Sequence, residues 1–480
     1  MPRRSRRRAP PALHAAVAAL ALTVVACAGD DATTSATEGS TSDASTTAQT
    51  STSLSSSSSS TTAASGSDSD SATTTTGETT TTGLVCGDAP TLALRDLFTV
   101  GDAQENLEIA PCGADLWYFV GASESTLEIT VKGAGAGVAG LVAYPDITLV
   151  EAQDEPLAPL LESAGDEAIV HSFAVPRSGE FALHVLPSDA ELGATYDLEI
   201  RCVDGCTRET TRFPTLWVHG WTGFENIGPL TYFYGVRDHL EPLGFPMSIA
   251  VLDPYNSSEV RGGQLSEQID EALVEWRARK LDLIGHSQGG IDSRYAISSL
   301  GHGEHVSVLM TVATPHRGTY IMDLALGLAP GAAEEALAFL FNLLGAVSAQ
   351  AKSDAKASFY SLSEAYMTEE FNPQNPDDPD VAYISYTGYT CAAIDFLDPD
   401  KHCNDYVDPL ILAGYNILKL ARGPNDGLVT VESAEWGDYR GEMIADHIDE
   451  VGQIAGLTDA DFDHKAWYLD RVRDLVAEGH

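Results

Sequence analysis

Residues 281–297 read Leu-Asp-Leu-Ile, then Gly285-His-Ser-Gln-Gly289, then Gly-Ile-Asp-Ser-Arg-Tyr-Ala-Ile297. A short apolar run that breaks at Gly-x-Ser-x-Gly and resumes at helical spacing is a strand-turn-helix unit, and a strand feeding straight into a helix belongs to an α/β layered fold. The turn leaves little freedom of composition. A serine with its Oγ exposed at so sharp a bend needs Gly285 and Gly289, because a side chain at either would collide with the neighbouring strand or helix. Ser287 is the candidate nucleophile. Upstream, Thr215-Leu-Trp-Val218 reads as a second buried strand running into the turn His219-Gly-Trp-Thr-Gly223.

A serine hydroxyl is a weak nucleophile and needs a base. The histidines downstream are His302, His305, His316, His402, His447, His464 and His480. Asn425-Asp-Gly-Leu-Val429 places Asp426 in a tight turn, and Asp446-His-Ile-Asp-Glu450 comes about twenty residues later, a spacing that suits a final strand and loop. His447 is therefore the candidate base and Asp426 its orienter. His464 falls in a terminal helix with Trp467, Leu469, Val472 and Leu475 as its apolar members, which makes it a surface or packing residue.

Four blocks in order carry a family resemblance: Val218-His-Gly-Trp-Thr-Gly223; Leu283-Ile-Gly-His-Ser-Gln-Gly-Gly290 with Ser293-Arg-Tyr295; Ala313-Thr-Pro-His-Arg-Gly318; and Asn425-Asp-Gly-Leu-Val429 with His447-Ile-Asp-Glu-Val-Gly-Gln453. Over residues 213–480 the chain resembles the calcium-dependent bacterial triacylglycerol lipases, whose export often uses a dedicated folding chaperone. The resemblance implies an α/β-hydrolase fold, with Ser287, Asp426 and His447 as catalytic triad and the backbone N–H groups of Trp221 and Gln288 as oxyanion hole. It also implies a structural Ca2+ held by Asp408, Asp449 and the carbonyls of Gln453 and Leu457, Asp408 aligning only after a short gap. Long-chain acylglycerols would be the substrate and a folding chaperone a candidate partner. Short-chain carboxylesterase, polyester depolymerase and phospholipase activities share this machinery. A non-catalytic surface binding module has no need of three intact roles.

The chain departs from the family at Trp221, where Leu or Met usually comes after His-Gly; the indole would line the acyl entrance and narrow chain-length preference. No cysteine follows Asp426, so the family's disulfide arrangement is not reproduced in full. The family's mobile lid falls at Glu334–Val347, where Leu337, Leu340, Phe341 and Leu344 share a helical face.

The rest of the chain concerns delivery. Five arginines before Ala12–Ala26, an apolar run too short to span a bilayer, read as a signal peptide over residues 1–26. Its end, Val24-Val-Ala-Cys27, resembles a bacterial lipobox, which makes Cys27 the expected lipid attachment point of an exported, membrane-anchored lipoprotein on the outer membrane or cell surface. From Asp31 to Thr82, 34 of 52 residues are Ser or Thr, so residues 27–85 cannot build a core and are expected to be a disordered tether. Residues 86–206 alternate apolar and polar, as in Leu127-Glu-Ile-Thr-Val131 and Glu180-Phe-Ala-Leu-His-Val185, and predict an all-β sandwich ahead of the hydrolase at 207–480. The order of these runs resembles the pre-peptidase C-terminal domain of secreted bacterial enzymes. Six cysteines besides Cys27 favour disulfides, with Cys86, Cys112, Cys202 and Cys206 in one region and Cys391 and Cys403 in another. No CxxC pair or adjacent histidine ligand set points to zinc. A formal charge of −43 excludes a nucleic-acid partner.

Overall fold

A computed structural model describes residues 86, 90–134, 137–163, 167–221, 223, 226–227, 230–331, 333–345, 354–391, 405–453, 455–458 and 462–480. The signal peptide, Cys27, the whole tether and Cys403 lie outside the described residues, as do the side chains of the expected lid from position 341 onward. The described residues belong to one unit, Leu84–His480.

Strands buried on both faces read as continuous apolar runs, and the second half of the chain is built from such runs. They are β10 (Thr215–Val218), β13 (Met247–Ile249), β14 (Leu281–His286), β15 (Val306–Val312), β16 (Ala382–Tyr389) and β17 (Asp438–Ile444). These six form one sheet in the order β13-β10-β14-β15-β16-β17, and every neighbouring pair is parallel. A separate antiparallel ribbon, β11 (Asn226–Ile227) with β12 (Leu230–Thr231), interrupts the chain between β10 and β13. From β10 the chain thus steps outward to β13. It then crosses over through helix α1 (Ser258–Trp276) and enters β14 on the other side of β10. The strand order therefore reverses at β10, and in open parallel sheets ligands bind beyond the carboxyl ends of the strands at such a reversal. Strand β10 runs out into His219-Gly-Trp221 and strand β14 into Ser287.

Ahead of this sheet, β1 (Thr91–Phe98), β3 (Gly113–Gly121), β5 (Val138–Ala143), β6 (Leu161–Ser163) and β8 (Gly179–Pro187) form one layer in the order β1-β3-β8-β5-β6. A second layer, β2-β9-β4-β7, comprises β2 (Ala103–Ile109), β4 (Thr126–Ala134), β7 (Ala168–Ala174) and β9 (Ala194–Asp204). Alternation sends Phe119, Phe181 and Val185 of the first layer into a single buried core with Ile129, Phe173 and Ile200 of the second. Disulfides join Cys86 to Cys112 and Cys202 to Cys206, and Cys391 is also disulfide-bonded.

The β layers meet the α/β sheet through Glu180 of β8, whose side chain is 2 % exposed. Its carboxylate accepts from Arg212 Nε at 2.5 Å and from Arg279 Nε at 2.7 Å and Nη2 at 3.1 Å. Among the described residues no helix is long and apolar enough to cross a membrane.

Candidate active site

Ser287 sits between β14 and helix α2 (Gln288–Ser299) at φ 55°, ψ −130°, a conformation that a non-glycine residue holds only when its surroundings dictate it. The surroundings do so. A Cβ on Gly285 would lie 2.7 Å from Gly290 Cα, and one on Gly289 would lie 2.2 Å from the Val218 carbonyl oxygen. The serine N–H donates to the Val312 carbonyl of β15 at 2.9 Å, which ties the turn to the sheet. Gln288 is the first residue of α2, where backbone N–H groups have no partner within the helix. Its side chain is buried and donates to the Asn256 carbonyl at 3.0 Å.

The turn after β10 leans on the serine, since a Cβ on Gly220 would meet Ser287 Cβ at 2.5 Å. His219 is fully buried and accepts the Leu252 N–H at Nε2 (3.1 Å), so its proton is on Nδ1, which donates to the Gly220 carbonyl at 3.0 Å. Burial, and then Arg261, pushes the His219 pKa down to about 3, so the ring stays neutral. The sealed Arg261 guanidinium donates to the His219 carbonyl at 2.7 Å, to the Gly220 carbonyl at 3.4 Å, and to Asp292 at 2.8 Å. In a planar trans peptide the N–H points opposite to the C=O. Holding the Gly220 carbonyl toward Arg261 therefore aims the Trp221 N–H away from it. The Trp221 indole packs on Tyr255 and Phe359, at ring separations of 5.7 and 5.8 Å. The same cluster includes Phe339 and Leu340 of helix α3 (Ala333–Gly345), the segment expected as lid.

His447 lies in the turn after β17, and its Nδ1 stands 2.7 Å from Asp426 Oδ2. The other Asp426 oxygen accepts the N–H groups of Leu428 and Val429 at 2.8 and 2.7 Å, so the carboxylate is fixed from both sides. His286, beside the serine, places its ring 4.6 Å from that of His447. Its Nε2 is 2.9 Å from Glu450 Oε2, which in turn lies 3.8 Å from His447 Nδ1, and its Nδ1 is 2.7 Å from the Tyr232 hydroxyl. Burial first, then the Asp426 charge, raises the Glu450 pKa well above the usual carboxylate range. Sequence reasoning missed Tyr232, His286 and Glu450 as a unit. Glu450 had a readable trace in Gly388, where a Cβ would fall 1.9 Å from Glu450 Oε1.

Asp446 draws two of the expected metal ligands together: its carboxylate accepts the N–H of Asp408 at 2.6 Å and those of Ile448 and Asp449 at 2.9 Å. Asp405 is buried with it, and each is 1 % exposed. The Gln453 side chain donates to the carbonyls of Thr231 and Tyr232 at 2.7 Å, leaving only its main chain for the role expected of it. Leu457 is exposed. His464 is buried, its Nε2 2.8 Å from the Tyr234 carbonyl, in a packing role.

A parallel sheet whose order reverses beside a strand-Ser-helix elbow, with an Asp–His pair supplied by later loops, defines the α/β-hydrolase class. No family model matches the chain. It is 30% identical over 259 residues to a triacylglycerol lipase of Vibrio cholerae serotype O1, covering 52% of this chain and 82% of that protein. It is 26% identical over 338 residues to a triacylglycerol lipase of Burkholderia plantarii, covering 61% and 93%. Among solved structures, the mature Bacillus licheniformis lipase BlEst2 is similar at 23% identity and a TM-score of 0.39, covering 51% of this chain and 86% of that one. The chain belongs to the triacylglycerol lipase family, a family of ester hydrolases.

Proposed function

We propose that this protein hydrolyses long-chain acylglycerols by a serine acyl-enzyme mechanism. The observation that carries the reading is the 2.7 Å His447–Asp426 pair delivered to the same end of the sheet as the serine elbow. Ser287 Oγ attacks the ester carbonyl while His447 Nε2 takes its proton. Asp426 holds the Nδ1–H tautomer and stabilises the imidazolium. The Trp221 and Gln288 N–H groups receive the oxyanion. His447 then returns the proton to the departing alcohol, and water releases the fatty acid by the same sequence in reverse.

The buried carboxylates around Asp446 fit a hard divalent cation, which takes oxygen ligands only. Asp408 and Asp449, with the main-chain carbonyls of Gln453 and Leu457, would hold Ca2+, which would supply charge neutralisation for this acidic turn. Asp449 and Asp408 lie on the segments that come after His447 and before α4 (Leu412–Ala421), so their joining would brace the base. The basic start, short apolar run and Val-Val-Ala-Cys27 sequence support export and lipid anchoring at Cys27. The burial of Phe339 and Leu340 beside Trp221 supports α3 as a lid in its closed position, which an oil-water interface would draw open.

A second reading, shorter acyl chains, is favoured by the Trp221 indole packed beside the oxyanion turn. One series of assays decides both. Given p-nitrophenyl esters of increasing length and then emulsified triacylglycerol, the protein should prefer the long esters and gain rate where substrate passes from monomer to emulsion. Ser287→Ala should abolish hydrolysis and serine-directed phosphonate labelling while the fold persists. Full labelling of that variant would remove the assignment.

A further inference from the structure

At the other end of the same sheet, helix α1 and the turn entering β15 bring three ligating side chains together. His302 to His305 form one turn of 3-10 helix, a geometry in which residues three apart eclipse one another, so both imidazoles leave the backbone on the same side. Their Nδ1 atoms face each other at 3.4 Å, too long for a good N–H···N hydrogen bond. Asp270 of α1 turns a carboxylate oxygen to within 4.0 Å of His302 Nδ1, and the three ligand atoms all lie within 4.8 Å of one another.

The outward nitrogen of His302 is engaged. His302 Nε2 is 2.6 Å from Ser266 Oγ, one helical turn before Asp270, and His305 Nε2 is 3.9 Å from the Glu304 carboxylate. With Ser266 accepting from Nε2, the His302 Nδ1 lone pair turns inward, the arrangement by which outer groups orient metal-binding histidines.

We propose that Asp270, His302 and His305 form a binding site for a borderline transition-metal ion, zinc above all. Four ligands about 2.1 Å from a tetrahedral Zn2+ stand roughly 3.4 Å apart, which is the separation of the two Nδ1 atoms. Asp270, with a side chain 66 % exposed, has the freedom to close the remaining gap, and water completes the coordination. Two imidazoles exclude Ca2+ and Mg2+ as preferred occupants. Val306, next to His305, pairs with Leu281 at the start of β14, whereas Ser287 follows its end. The ion is therefore a staple between α1 and β15, remote from the chemistry. The pattern is hidden in the sequence because the third ligand comes from a different helix.

The mature full-length protein, stripped with chelator, desalted and resupplied with Ca2+, is offered one to two equivalents of Zn2+ and analysed for metal after gel filtration. One zinc per chain is expected, with a rise in melting temperature of a few degrees, unchanged ester hydrolysis, and visible absorption typical of nitrogen-ligated tetrahedral Co2+ when cobalt replaces zinc. His305→Gln and Asp270→Asn, at side chains open to solvent, should fold normally and lose the retained metal and the melting shift. Failure of the parent protein to retain zinc would overturn the proposal. So would retention undiminished in both variants, and if hydrolysis were then inhibited, the metal would be placed at the second cluster of ligands, His286, His447 and Glu450.

Discussion

Arg261 Nε and Asp292 Oδ2 stand 2.8 Å apart, both side chains sealed from solvent; Nη2 donates to the His219 and Gly220 carbonyls of the turn beside Ser287, and Nη1 to the Asp253 carbonyl. The ion pair is thus the base on which the His219–Trp221 turn is mounted. Removing Arg261 alone strands a buried carboxyl, a loss of about 3–5 kcal/mol. It also frees the Gly220 carbonyl that aims the Trp221 N–H. Arg261→Met should lower the melting temperature and reduce kcat, approaching the roughly 10²–10³-fold cost of losing one oxyanion donor. Arg261→Met combined with Asp292→Leu should regain much of the stability and little of the rate, as thermal melts and single-turnover kinetics would register. Recovery of both together would mean that Arg261 serves folding only.

Glu180 answers two arginines across the junction between the β layers and the α/β sheet. Its carboxylate is buried while Arg212 and Arg279 keep 20 % and 31 % of their side-chain exposure, so solvent screens part of the interaction. Glu180→Ala is expected to cost about 2–3 kcal/mol. Activity per folded molecule should stay at the parent level, because Glu180 touches no part of the site. Denaturant melts followed by active-site titration separate the two quantities.

Asp282 lies in the middle of the α/β sheet on β14, fully buried, with neither carboxyl oxygen hydrogen-bonded among the described residues. Burial raises its pKa well above the ordinary carboxylate range. A folded-state pKa above the unfolded one contributes stability that is complete below the unfolded value, near 4, and is lost as pH rises toward the folded one. The parent protein should therefore lose stability through this group as pH climbs above about 4. Asp282→Asn should show little difference at about pH 4 and a widening advantage toward about pH 8. Parallel stability-pH profiles would refute this.

Chelation tests the calcium proposal. Any ion that binds the native state alone stabilises it by mass action. EGTA should lower the melting temperature and the hydrolytic rate together, and added Ca2+ should restore both. Asp449→Asn should behave like the chelated parent, although Asp446 would still hold the Asp449 N–H. A metal-free protein, verified by elemental analysis, with unaltered melting and full activity would dismiss the ion.

Local chemistry is legible wherever one residue type meets one geometric demand. Gly285 and Gly289 announce the elbow because nothing else fits between β14, α2 and the Val218 carbonyl. His447 is separable from His464 because the latter stands among the apolar positions of a helix, and it is buried there. Long-range partners are not legible. Nothing near Arg261 in sequence reveals Asp292 or the His219 carbonyl, and Glu450 reads as the neighbour of an expected metal ligand, with no sign of His286. In the β layers, Leu127–Val131 and Glu180–Val185 are readable from alternation. Strand β1 is not, because seven of its eight residues keep contact with solvent and only Phe98 is buried.

The edge position of β17 has a consequence in time. Ser287 follows β14, Asp426 lies between β16 and β17, and His447 follows β17, an edge strand of its sheet. Parallel pairings between strands far apart in sequence form slowly, since the loop must be closed before any contact rewards it. A chain arrested before β17 docks would hold Ser287, the proposed nucleophile, without His447, the proposed base. The protein is therefore latent for as long as it is incomplete. On the proposed roles, docking of β17 is the step that would arm the enzyme, a safety catch for the lipids of the cell that makes it.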